Sequence, residues 1–233
     1  MLQKLKELYG DKLHAADGEI GRVKDFYFDD QAWLICYLVV DTGTWLNERQ
    51  VLLSPRSFGR WNRDERILEI KLTRQQIERS PPIDSHRPVS RQDEQDYHRH
   101  YGWKAYWEDG GMWGVAGFPV TNASPPANGR PHHGHNQRDD LHLRSTKAVA
   151  GYEIHATDGT LGSVRDFLVD DRSWAIDGLV VETGHWYAGK EIVVRTAKIE
   201  RINYGDSTVS INLSKADIER ADNHSVIPIP PEL

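Results

Sequence analysis

The chain has 233 residues, a formal net charge of −6, and 38% hydrophobic and 27% charged side chains, the make-up of an ordinary soluble globular protein. The excess acid falls on the C-terminal part, and a net negative field repels phosphate backbones, so general nucleic-acid binding is disfavoured. No stretch approaches the roughly 18 apolar residues of a membrane span, the N-terminus lacks the apolar run of a secretory signal, and the single Cys36 can form no internal disulfide, so a cytoplasmic protein is expected.

Residues 2–9 place Leu2, Leu5 and Leu8 at three-residue intervals between lysines, which predicts a short amphipathic helix ended by Gly10, either lying across a barrel mouth or fraying. From Leu13 the period becomes that of strands, with Ile20, Val23, Phe26 and Phe28 supplying apolar side chains and Gly21 marking a bulge or sharp bend. Asp29 and Asp30 read as a tight turn between strands, Asp bonding its own backbone, and not as a metal site. Asp170 and Asp171 read the same way. Residues 33–42 form the longest predicted strand, with Trp33, Ile35, Tyr37 and Val39 expected inward and Leu34, Cys36, Leu38 and Val40 outward. A hairpin turn carrying Trp45 leads to the strand 51–53. Short strands follow, and a helix opens on a Thr73 and Gln76 capping box.

Residues 17–53, DGEIGRVKDFYFDDQAWLICYLVVDTGTWLNERQVLL, are written a second time. They return at 158–194 as DGTLGSVRDFLVDDRSWAIDGLVVETGHWYAGKEIVV, every position shifted by 141 residues. In the second copy the interior set is expected to be Trp174, Ile176 and Val180, while Cys36 and Tyr37 become Asp177 and Gly178, so the two outer faces should be covered differently. Between the copies, residues 90–114 concentrate Tyr97, Tyr101, Trp103, Tyr106, Trp107 and Trp113, aromatics that should dock on the barrels or on another molecule. A Pro, Asn, Gly and His linker follows. The expected divisions are 1–80, first module with its N-terminal helix; 81–145, aromatic segment and linker; and 146–233, second module with an extended tail.

The doubled D-G-x-[IL]-G-x-V-[KR]-D-F, the D-D-x-x-W turn and L-V-V-[DE]-T-G-x-W resemble the PRC-barrel domain, named for the cytoplasmic domain of the photosynthetic reaction-centre H subunit and found in a ribosome-maturation factor. The resemblance covers about 13–80 and 154–221. It implies a mainly β protein, two small antiparallel PRC-type β-barrels in tandem, each ending in a short helix, that act as docking modules with no catalytic residues or cofactor. A membrane helix and a basic RNA-processing partner domain, present in those two members, have no counterpart here, and the chain looks like a bacterial stand-alone tandem PRC-barrel protein.

Three functional readings follow. The first is a non-enzymatic scaffold binding a protein partner, with dimerisation open. Its candidate interface is Trp45 and Trp186 with Arg49 and Lys190 beside them, together with Trp103, Tyr106 and Trp107, since rigid aromatics next to cations suit interface hot spots. The same tryptophans packed on their own barrel ends are the alternative. A second reading is a peripheral accessory of a membrane electron-transfer complex, reaching the membrane only through a partner. A third is a small-molecule or metal binder using His132, His133, His135 and His142, although transition-metal ligands usually sit on ordered elements. His14 and His155 read as strand histidines bonded to backbone at a barrel seam, and Asp25 and Asp166 as carboxylates pairing with Lys24 and Arg165 or with backbone amides.

Overall fold

The computed structural model describes residues 1–81 except 48, residues 96 and 98–102, and residues 143–221 except 188. The first copy runs β2 (Lys12–Ala15), β3 (Gly18–Asp29), β4 (Leu34–Asp41), β5 (Gln50–Leu53), β6 (Phe58–Asn62), β7 (Ile67–Ile70) and helix α1 (Arg74–Glu78), preceded by β1 (Leu2–Lys4). The second begins with β8 (Leu143–Ser145) and helix α2 (Thr146–Val149). It continues through β9 (Glu153–Ala156), β10 (Gly159–Asp170), β11 (Ile176–Thr183), β12 (Glu191–Arg195), β13 (Ile199–Asn203), β14 (Thr208–Ile211) and helix α3 (Lys215–Ala221). The result is mainly β, two seven-stranded sheets of the same topology, ordered β5-β4-β3-β2-β7-β6 and β12-β11-β10-β9-β14-β13 with one added strand each.

The sheets depart from closed antiparallel barrels in two ways. The end strands of each order are unpaired with one another, and β2 runs parallel to β7, as β9 does to β14. The cause lies in the link from β5 to β6, a 3₁₀ corner over Pro55–Ser57 in place of a hairpin, which carries the chain onward without reversing it. Every later strand then returns in the opposite sense from the one that strict hairpin alternation would give.

The N-terminal segment is corrected as well. Residues Leu2–Lys4 form a strand, and only Leu5–Leu8 is helical, as a 3₁₀ turn whose three-residue period fits the leucine spacing as well as an α-helix would. Its Leu5 and Leu8 are fully buried. The strand joins the other copy's sheet: Leu2 pairs with Asp170, Gln3 with Val169 and Lys4 with Leu168 on β10. At the same shift of 141, β8 pairs its Leu143 with Asp29, Arg144 with Phe28 and Ser145 with Tyr27 on β3. Each copy lends a strand to the other.

The seam is reciprocal throughout. The amide of Ile35 donates to the Trp174 carbonyl at 2.9 Å, and that of Ile176 to the Trp33 carbonyl at 2.7 Å. Trp33 and Trp174, expected as strand residues, instead precede the strands with φ of 52° and 59°, left-handed backbone that costs an indole on the order of 1–3 kcal/mol. What offsets that cost is packing across the seam, with Trp174 against Phe26 at 6.0 Å and Phe58 at 4.8 Å, and Phe28 against Phe167 at 5.2 Å. One continuous apolar core therefore serves both copies.

The predicted strand faces hold only to the first bulge. The β3–β4 register slips between Tyr27 and Phe28, so Ile35 stays inward but Leu38 and Val40 replace Tyr37 and Val39 in the core. In β11 the inward set is Ile176, Leu179 and Val181, with Val180 outside it. The displaced outer face of β4, formed by Cys36, Tyr37 and Val39, is covered by Leu143 and Tyr101. His98 is buried there, its Nε2 2.9 Å from the Tyr37 hydroxyl. On β11 Gly178 has no such role, because a Cβ there would stand 2.6 Å from the Val194 carbonyl, and Asp177 is paired with Arg195.

Candidate interaction site at the seam between the two copies

The polar residues that the duplication repeats are used to hold backbone. Asp17 accepts from the Arg74 amide at 2.7 Å and Asp158 from the Lys215 amide at 3.0 Å, capping the helix that ends each copy. Asp29 accepts from the Gln31 and Ala32 amides and Asp170 from those of Arg172 and Ser173, the turns expected from the Asp pairs. The hydroxyls of Thr42 and Thr183 donate to the carbonyls of Arg49 and Lys190 across each hairpin.

Asp25 and Asp166 bind backbone amides, as one reading expected, and do so in both copies: each accepts from the next residue's amide, Phe26 at 2.8 Å and Phe167 at 2.7 Å, and from an amide of the opposite copy. Asp25 accepts from the Ser145 and Thr146 hydroxyls at 2.5 and 3.0 Å and from the Lys147 amide. Asp166 accepts from the Lys6 amide at 3.0 Å and the Phe167 amide at 2.7 Å, and the positions equivalent to the two hydroxyls hold Lys4 and Leu5. Burial pushes the Asp166 carboxyl up to about 6, the Phe167 and Lys6 amides opposing it. The folded chain thus holds this proton to a higher pH than the unfolded chain, so the carboxyl favours folding at low pH and that contribution is lost as pH rises through about 6. Asp166→Asn, which keeps an acceptor for both amides, should remove a decline in unfolding free energy on the order of 2 kcal/mol between about pH 4 and 7. Urea titrations across that range check it, and an unchanged slope rules this carboxyl out as the source.

Of the residues expected at an interface, Arg49 turns inward, its guanidinium donating to the carbonyls of Ile77 and Glu78 and to the Ser80 hydroxyl, where it caps the end of α1. Trp45 is half-buried with the Arg74 guanidinium 4.6 Å from its ring centre. Lys190 lies over the Tyr187 ring at 4.6 Å. The backbone of Trp186 sits in the 3₁₀ turn His185–Tyr187, and its side chain lies outside the described residues, as do Trp103, Tyr106, Trp107 and the linker histidines His132, His133, His135 and His142. Among the described residues no group of three or more His, Cys, Asp or Glu is placed to hold a metal ion, and no helix is long and apolar enough to cross a membrane. His14 and His155 are not bonded to backbone at a seam: each is partly exposed beside a carboxylate, Glu19 at 3.8 Å and Glu153 at 3.2 Å.

The seam itself carries a cavity of about 410 Å³ that the sequence reading missed. Its floor is Phe58 and Leu68 of the first copy with Trp174 of the second, its wall is Trp61, and Gln3 of the exchanged strand lines it. Trp61 is held in orientation because its indole N–H donates at 3.0 Å to Asp11, a carboxylate 1% exposed that Arg66 neutralises at 2.7 Å. Around the rim stand Arg56, Arg63, Lys71 and Arg172, with Asp171 as the one acid of the lining. The Met1 ammonium holds Asp171 at 2.6 Å and Arg63 approaches it at 3.7 Å.

Gln3 is 5% exposed, and its Oε1 accepts from Arg63 at 3.1 Å. A guanidinium only donates, so this bond identifies Oε1 and leaves Nε2 as the amide's other face. That Nε2 is buried without a hydrogen-bond partner, a loss of roughly 1–3 kcal/mol if nothing meets it.

The corner related by the shift of 141 is built otherwise. There Arg144 replaces Gln3 and stacks at 3.7 Å on Tyr204, which replaces Arg63 and donates to Asp30. Lys71, Arg172 and Arg56 correspond to Asn212, Gln31 and Ala197. None of the four rim cations of the first corner therefore has a charged counterpart in the second.

No protein-family model matches the chain, and no curated protein matches it in sequence.

Proposed function

We propose that this chain is a non-enzymatic interaction scaffold made of two PRC-type barrel modules locked into one unit by exchanged strands. The observation that carries the reading is the use of the repeated polar residues, since Asp17, Asp25, Asp29, Thr42 and their counterparts all serve backbone groups. The shared motif is thus an architectural one, and function falls to the surfaces where the copies differ. A protein partner docking on the hairpin ends fits the half-buried Trp45 under Arg74, a rigid aromatic with a cation on its face.

The test is affinity capture from the source cells followed by measured binding of the captured partner to wild type and to a Trp45→Ala, Trp186→Ala double variant. Loss of hot-spot contacts worth about 2 kcal/mol weakens binding by about 30-fold. Unchanged affinity, with the variant's thermal unfolding still cooperative, excludes these tryptophans as the docking site.

A further inference from the structure

We propose that the cavity between the β6–β7 hairpin and the second copy's turn at 170–174 binds a small organic anion, its charged head held by Gln3, Arg63, Lys71 and Arg172 and its flat apolar body laid against Trp61 and Trp174. This inference does not depend on the scaffold reading.

Four features converge on that chemistry. The volume, about 410 Å³, lies within the ordinary range of small-molecule sites. Two indoles line it among the polar side chains and are fixed in place, Trp174, 8% exposed, by its packing against Phe26 and Phe58, and Trp61 by its bond to Asp11 with the Arg63 guanidinium 4.6 Å from its ring centre. The buried Gln3 Nε2 is a donor in need of an acceptor, and on a chain of net charge −6 the rim gathers cations whose counterparts in the other copy are neutral or tyrosine. The one acid of the lining, Asp171, is already engaged by the Met1 ammonium. Lys71 and Arg172 are exposed, and neither makes an ion pair among the described residues, so their charge is available to a ligand.

The experiment uses the ¹⁵N-labelled full chain titrated with benzoate and, separately, with inorganic phosphate, observing the Gln3 side-chain amide, assigned through its disappearance in Gln3→Met. Benzoate should shift that amide saturably with a Kd near or below about 1 mM. Lys71→Glu combined with Arg172→Glu should weaken it at least about 10-fold, and both sites are exposed, so the spectrum should remain that of the folded protein. Arg201→Glu, an exposed cation on β13, should leave it unchanged. A Gln3 amide unmoved by benzoate at about 10 mM overturns the proposal. Phosphate binding as tightly as benzoate overturns the organic body, and full affinity in the double variant overturns the role of the two cations.

Discussion

Phe28→Ala is expected to lower the unfolding free energy of the chain by about 3–5 kcal/mol and to destabilise both copies together. The ring is fully buried and stands 5.2 Å from Phe167 of the other copy and 6.0 Å from Trp33, so its removal opens a cavity in a core the copies share. The exchanged strands reinforce the coupling, because separating the modules also strips β1 from β10 and β8 from β3. Amide exchange followed on Leu38 in β4 and Leu179 in β11 during a urea titration should show one transition with one midpoint in wild type and variant alike. Two separate midpoints, with β11 unaffected by the substitution, would mean that the modules are merely tethered.

A second large effect is expected at the glycine of each copy's strand bend. A Cβ on Gly21 would stand 2.1 Å from the Asp41 carbonyl oxygen, and one on Gly162 2.0 Å from that of Glu182, distances that force β3 away from β4 or β10 from β11. Gly21 also holds φ at 135°, a backbone conformation side chains rarely adopt. Gly162→Ala should cost about 1–3 kcal/mol from overpacking alone, and Gly21→Ala about 2–4 kcal/mol because strain adds to the clash. Thermal unfolding of the two single variants decides it. Loss of no more than about 0.5 kcal/mol in either would contradict the close approach.

These two effects lie on different sides of what a sequence can express. Gly21 was legible as a bend because it interrupts an apolar strand, and Gly162 stands at the matching place in the repeat. The turns at Asp29 and Asp170 and the capping box joining Thr73 to Gln76 were legible for the same reason, being contacts between residues two or three apart. The faces of β4 were misread after the slip at Tyr27 and Phe28, since a bulge leaves no mark in the apolar pattern yet inverts every position beyond it. The bonds of Arg49 to the end of α1 were not legible, because in the sequence it is a cation beside a hairpin aromatic and Glu78 lies 29 residues away.

The seam cavity leaves a fainter trace. Comparing the copies position by position sets Arg63 against Tyr204, Lys71 against Asn212 and Arg172 against Gln31, which marks three cations peculiar to one corner. Nothing in the order of residues places them beside one another, because Arg172 belongs to the second copy and Lys71 to the first.

The amino-acid order by itself determined that one β unit was doubled, where several of its turns and bends fall, and that Asp29, Asp170 and Thr73 serve nearby backbone, because those properties follow from short-range periodicity and from side chains bonding amides a few residues away. The tertiary structure alone decided that β1 and β8 change places, that β2 and β7 run parallel, and that Gln3, Trp61 and Trp174 meet around a cation-rimmed cavity. Three-residue strands carry too little pattern to name a partner about 140 residues away, and their pairing is chosen by the apolar surface the two copies bury together.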